Sequence, residues 1–122
     1  MVLVDTSVWV RFFANRAPYA AGLDALLARG DVGGHDFVLG ELRTGDKGGR
    51  SHLLGTYALL PRAAMVPHDE VMEFVRHRRL YGRGIGWIDV HLLASALVSR
   101  MQVWTADARL AAVAAELGVS YD

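Results

Sequence analysis

Short apolar runs alternate along this chain with longer stretches in which apolar residues recur at helical spacing. Val2 to Val4 read as a buried strand, and Thr6 or Ser7 can cap a short helix carrying Val8, Trp9, Phe12 and Phe13. Pro18 opens a second helix with Leu23, Leu26 and Leu27, which Gly30 ends. Val32 to His35 is a weak strand, and Asp36 can cap the helix containing Val38 and Leu42. Gly45 to Gly49 reads as a loop before a helical stretch from Ser51 to about Leu60. Pro61 and Pro67 bracket a strand at Ala64 to Val66, and Asp69 caps a helix with Val71, Phe74 and Val75. Gly82, Gly84 and Gly86 then break the chain ahead of a strongly apolar helix containing Leu92, Leu93, Ala96 and Leu97. Val103 and Trp104 form a strand, Ala108 to Leu117 a helix, and Val119 to Tyr121 a last strand. Strands alternating with helices predict an α/β fold with a mostly parallel sheet, in one domain spanning residues 1–122.

Four acids fall on positions this pattern marks as apolar or as element edges: Asp5, Glu41, Asp89 and Asp107. Asp5 closes the first strand and Asp107 follows Val103 and Trp104. In parallel sheets function gathers at the carboxyl ends of the strands, which places both acids on one rim. Asp89 opens a helix on the same side, where the positive helix end favours an anion. Glu41 shares a face with Val38 and Leu42, so a buried setting within reach of that rim is expected. Read singly, Asp5, Asp89 and Asp107 also suit plain helix caps; Glu41 does not. Read together, they need a counter-charge, because two unit charges 4 Å apart repel by roughly 4 kcal/mol at an effective dielectric of 20. Oxygen ligands without Cys or His favour Mg²⁺, with Mn²⁺ as a substitute, over zinc. Such a site suits phosphoryl chemistry in which the metal activates a water.

Composition narrows the choices. No Cys is present, which excludes disulfides and thiolate chemistry and fits a cytoplasmic location. No apolar run approaches a membrane span, and no basic region precedes an apolar one as in a signal peptide, so no membrane association is expected. Thirteen basic residues balance thirteen acidic ones, so net charge does not point to nucleic acid. Their distribution is less even: Arg76, Arg78, Arg79 and Arg83, with His77 and Tyr81, form a basic run that is either a solvated helix face or a track for phosphates.

The segments Val4-Asp5-Thr6-Ser7, Leu39-Gly40-Glu41-Leu42, Gly86-Trp87-Ile88-Asp89-Val90-His91-Leu92 and Trp104-Thr105-Ala106-Asp107 occur in order along the whole chain. This set resembles a PIN-domain ribonuclease, and specifically the VapC-type toxins of type II toxin–antitoxin pairs. The resemblance implies a three-layer α/β/α sandwich, a homodimer, a cognate antitoxin protein and a Mg²⁺-dependent endoribonuclease acting on RNA phosphodiester bonds. It assigns Asp5, Glu41, Asp89 and Asp107 to the catalytic site, with metal on Asp5, Asp89 and Asp107 and support from Thr6, Ser7 and Thr105. Arg109 follows Asp107 where the family often has a further acid. Arg79 and Arg83 would meet RNA.

The alternative is a non-catalytic PIN-like module whose acidic groove docks a partner protein or RNA. A phosphorelay receiver, which also carries an acidic rim, needs a nearby lysine and paired acids after the first strand. The only lysine, Lys47, lies in the glycine-rich loop. Trp9, Phe12 and Phe13 read as core, dimer or antitoxin contacts, and His91 as a packed histidine rather than a general base.

Overall fold

A computed structural model describes the whole chain, residues 1–122. Its centre is a parallel sheet in the order β2-β1-β3, built from β1 (Val2–Val4), β2 (Val32–Gly33) and β3 (Gln102–Trp104). Seven helices surround it in a three-layer α/β/α arrangement: α1 (Thr6–Phe13), α2 (Tyr19–Ala28), α3 (Asp36–Gly45), α4 (Ser51–Tyr57), α5 (His68–Arg78), α6 (Trp87–Ser99) and α7 (Ala108–Glu116). Parallel strands need such crossovers, and β1 reads as an unbroken apolar run because both its faces are covered.

The sheet is widened at both edges by single bridges, Gly34 with Arg62 and Val103 with Ser120. Beyond β3, Val103 N donates to Val119 O (2.6 Å) and Tyr121 N to Val103 O (3.0 Å). The strand expected at Ala64 to Val66 does not form. Pro61 and Pro67 offer no N–H to a ladder, and Ala64 N is drawn instead to Ser99 Oγ at 2.8 Å.

Helix starts differ from expectation in three places. Pro67, not Asp69, precedes α5, and Asp69 lies within its first turn, where an acid suits the helix dipole. Asp5, not Thr6 or Ser7, takes the cap position of α1, and its side chain makes no capping bond there. His35, not Asp36, caps α3: its Nδ1 accepts from Phe37 N at 3.0 Å. The His35 ring is fully buried, with Nε2 3.0 Å from Ser95 Oγ, while Asp36 stays at the surface paired with Arg62. Tyr57 closes this buried network, its hydroxyl accepting from His35 N at 2.9 Å. Burial pushes the Tyr57 phenol up to about 12.

Helix α6 is apolar all round and is buried from Val90 to Ala96, as a central helix should be. On the other side α2 approaches β3 closely. A Cβ at Gly22 would sit 2.9 Å from Trp104 Cη2, so no larger residue fits without moving the indole.

Candidate active site

The carboxyl end of β1 lies at the centre of the acidic rim. Asp5 N donates to Trp104 O (2.9 Å), which ties the ends of β1 and β3 together and brings residues 5 and 105–107 side by side. Asp5 is only 6% exposed. Its Oδ2 accepts from Ser7 Oγ (2.7 Å) and from Thr105 Oγ1 (2.8 Å), and these two hydroxyls lie 3.2 Å apart. Ser7 Oγ in turn accepts from Ala106 N (3.0 Å), and Thr105 Oγ1 from Asp107 N (3.0 Å). Two hydroxyls thus fix the carboxylate and the loop after β3 in one network. A buried carboxylate held by two hydroxyl donors is a position the fold sustains, not an accident of a turn.

The other three acids are each anchored through one carboxylate oxygen. Thr6 Oγ1 donates to Glu41 Oε1 at 2.7 Å. Asp89, in the first turn of α6, reaches back so that Oδ2 accepts from Gly86 N at 2.8 Å. Asp107 caps α7, its Oδ1 accepting from Arg109 N (2.8 Å) and Leu110 N (3.3 Å). In every case a single carboxylate oxygen takes the protein donors. The second oxygen of Asp5, Glu41, Asp89 and Asp107 has no hydrogen bond from the protein. A helix cap accounts for one oxygen of Asp89 and of Asp107, and it leaves the other unexplained.

Glu41 differs from expectation. It is exposed, because the buried line of α3 runs through Val38 and Leu42 and leaves Glu41 at its edge. There it borders three open hollows, one of which, about 560 Å³, it shares with Gly86, Trp87, Ile88 and Asp89. An ionised side chain stays in water unless it is paired, so the rim is the lower-energy position.

Like charge accumulates on this rim. The Asp89 carboxyl is held above the ordinary range, chiefly by burial, against the opposing Gly86 N–H; the charges of Asp5, Asp107 and Glu41 push it further. Asp89 therefore feels the charge of each of the other three acids. Three of them sit at the amino ends of α1, α6 and α7, whose dipoles offset part of the repulsion. No three acidic or histidine side chains close into a ready-made cage, so the cluster is open. Its donor set, free carboxylate oxygens with mutual repulsion, fits a hard divalent cation.

The basic run divides. Arg83 is paired with Glu116 and Arg76 with Glu73, whereas Arg79 ends α5 in a left-handed conformation and has no ion-pair partner. His91 is packed, 3% exposed, but its Nδ1 finds no hydrogen-bond partner. Burial, aided by His68, holds its basicity down. Trp9, Phe12 and Phe13 line the best-enclosed hollow of the molecule, with Leu27, Leu53 and Tyr57; Phe13 also borders one of the hollows of Glu41. Sequence reading passed over Trp87. Two residues before Asp89 in an apolar helix it looks like core, and only the tertiary fold leaves it 39% exposed beside the carboxylates.

The PIN domain family profile matches residues 2–116. This chain belongs to the PIN-domain family. Two relatives, each named Ribonuclease VapC32, from Mycobacterium tuberculosis strains CDC 1551 / Oshkosh and ATCC 25618 / H37Rv, are 45% identical over 121 residues, covering 98% of this chain and 95% of theirs. Similarity of that extent makes it a PIN domain of the VapC type. The acidic rim just described runs through four segments spread across the matched region.

Proposed function

We propose that this PIN domain is a Mg²⁺-dependent endoribonuclease and the toxin of a type II toxin–antitoxin pair. The observation that carries the reading is the split use of the four carboxylates. Each gives one oxygen to a protein donor and keeps the other uncommitted on a shared rim. The relatives' name, ribonuclease, supports the substrate class.

In this reading Asp5, Asp89 and Asp107 hold the cation, which is Mg²⁺ or Mn²⁺. Bound there, it would lower the pKa of a water and neutralise charge on a phosphate oxygen. Ser7 and Thr105 keep Asp5 in one rotamer, so its second oxygen is aimed before substrate arrives. Thr6 does the same for Glu41, whose remaining oxygen orients the attacking water. The Gly86 N–H keeps Asp89 at the start of α6 as a carboxylate facing the rim. The apolar hollow around Trp9, Phe12 and Phe13 would receive an antitoxin segment, because aromatic side chains in an apolar recess are favoured anchors. The protein would act as a homodimer.

The test is cleavage of total cellular RNA in MgCl₂ by wild type, Asp5→Ala and Asp89→Ala, each checked for folding by its melting curve. Wild type should cut and lose activity with EDTA, and both variants should be inactive. Folded variants that cut as well as wild type would remove the site assignment. A wild type that binds RNA or a partner without ever cutting would turn the reading to a docking module.

A further inference from the structure

We propose that Trp87 and Tyr81 form a nucleobase subsite beside the carboxylate rim, which takes an unstacked base of single-stranded RNA. The inference rests on the ribonuclease reading and names the form of its substrate.

Trp87 stands where two hollows meet. On one side lies the hollow with Glu41 and Asp89. On the other lies an open, mostly apolar hollow of about 160 Å³, bordered by Val75, Leu80, Tyr81 and Ile85, and Gly86 and Trp87 belong to both. That is less than the roughly 300–1,000 Å³ of a site that encloses a whole small ligand, so the recess takes one ring of a longer chain and not the chain itself. A chain bound with one phosphate at the acids therefore has an apolar recess directly beside it.

Two aromatic side chains on the recess keep part of their surface open to solvent. Tyr81 is 64% exposed and Trp87 39%; Trp87 precedes Asp89 by two residues, and Tyr81 borders the same recess as Trp87. The indole packs against two imidazoles, His91 at 84° with centroids 4.8 Å apart and His68 at 53° and 5.1 Å. Neither imidazole lies parallel to it, so no protein ring stacks flat on the indole, yet its orientation is fixed. A rigid, exposed aromatic next to a phosphate-binding site is the arrangement on which bases stack, with little preference among bases because each offers a π-face. Arg79, unpaired and two residues from Tyr81, adds a cation for the backbone. In a duplex the base faces are already covered, so the subsite favours single strands and loops.

The experiment uses the full chain and two probes, a single-stranded oligouridylate and the same sequence in a duplex. Binding is read in EDTA from tryptophan fluorescence, and cleavage in MgCl₂ as KM and kcat. The expected result is that the single strand quenches wild type and that this quench is lost in Trp87→Phe. Trp87→Ala and Tyr81→Ala should each raise KM by about fivefold or more with kcat little changed, and Trp87→Phe should keep most of the affinity. Tyr81 is exposed enough that its removal leaves the fold intact. The proposal is overturned if wild type cuts and both alanine variants cut with unchanged KM, if Trp87→Phe is as defective as Trp87→Ala, or if the duplex quenches as strongly as the single strand. Quenching by single strands without any cleavage would instead overturn the nuclease reading and leave the subsite standing.

Discussion

Thr105 Oγ1 donates to Asp5 Oδ2 across 2.8 Å, joining residues 100 positions apart. The same oxygen accepts from Asp107 N, so one hydroxyl orients two acids. Thr105→Val should cost about 1 kcal/mol of stability in urea unfolding. Its effect on RNA cleavage should be larger, because Asp5 gains rotamer freedom and the loop bearing Asp107 loses its tether. Ser7→Ala removes the partner donor. The double variant should depart from additivity by about 0.5 kcal/mol or more, and strict additivity would show that the two hydroxyls do not work as one network.

Asp89→Asn keeps an acceptor for the Gly86 N–H and removes a charge from a crowded rim. The folded-state pKa of Asp89 is raised, so the folded protein holds this proton more tightly than the unfolded chain. Its ionisation therefore costs stability as pH rises through that raised value, and the cost persists at neutral pH. The variant should melt a few degrees above wild type at pH 7 without metal. Below pH 3.8, where Asp89 is protonated in both states, the gain should vanish. Added MgCl₂ should raise the wild-type midpoint and shrink the difference. A variant that melts lower at pH 7 would make Asp89 a structural cap and little else.

His35 is buried neutral, with Nδ1 accepting from Phe37 N and Nε2 beside Ser95. Burial, with His91 and Arg62 nearby, pushes its pKa from 6.5 down to about 4. The unfolded chain thus binds the proton more readily between those values. Stability is complete above pH 6.5 and falls on acidification until about pH 4. At about 1.4 kcal/mol per pH unit the loss approaches 3 kcal/mol. Urea unfolding at pH 7, 6, 5 and 4.5 reads it directly. His35→Asn can still cap α3, lowers stability at pH 7 and should flatten this dependence. The smaller slope that remains comes from His91, whose basicity burial also lowers.

Gly84 has φ +79°, and a Cβ there would lie 2.8 Å from Arg109 Cδ. The arginine side chain swings aside easily, so the backbone conformation decides the cost. Gly84→Ala should lose about 1–2 kcal/mol. Adding Arg109→Ala should recover almost none of it. Substantial recovery would make the contact, and not the left-handed conformation, the reason for glycine.

The alternation of elements was legible because β1 and β3 are short apolar runs, α6 is a long apolar one and α7 has a distinct apolar face, and the family motifs lie on or beside these elements and α3. The acids at Asp5, Asp89 and Asp107 could be placed on one rim from chain order alone, since parallel topology puts strand ends and the following helix starts together. Glu41 could not. Helical spacing put it with Val38 and Leu42, and which edge of α3 meets solvent is decided by how that helix docks. The missing strand at Ala64 to Val66 depended on Ser99, a competitor for Ala64 N that lies 35 residues away. Caps failed for a related reason: His35 won over Asp36 because a buried partner on α6 fixed its ring. Trp87 was invisible as a surface residue because exposure at the end of an apolar helix is a tertiary property.

The rim is assembled from residues 5, 41, 89 and 107, and β1 finds one of its two sheet neighbours only at residues 102–104. Pairings of such long sequence separation form late and depend on the rest of the fold. During synthesis the chain therefore carries its acids as scattered, independent charges until almost its last turn of helix has emerged. The rim is thus a property of the finished molecule, and a chain that stops before residue 102 lacks both β3 and Asp107.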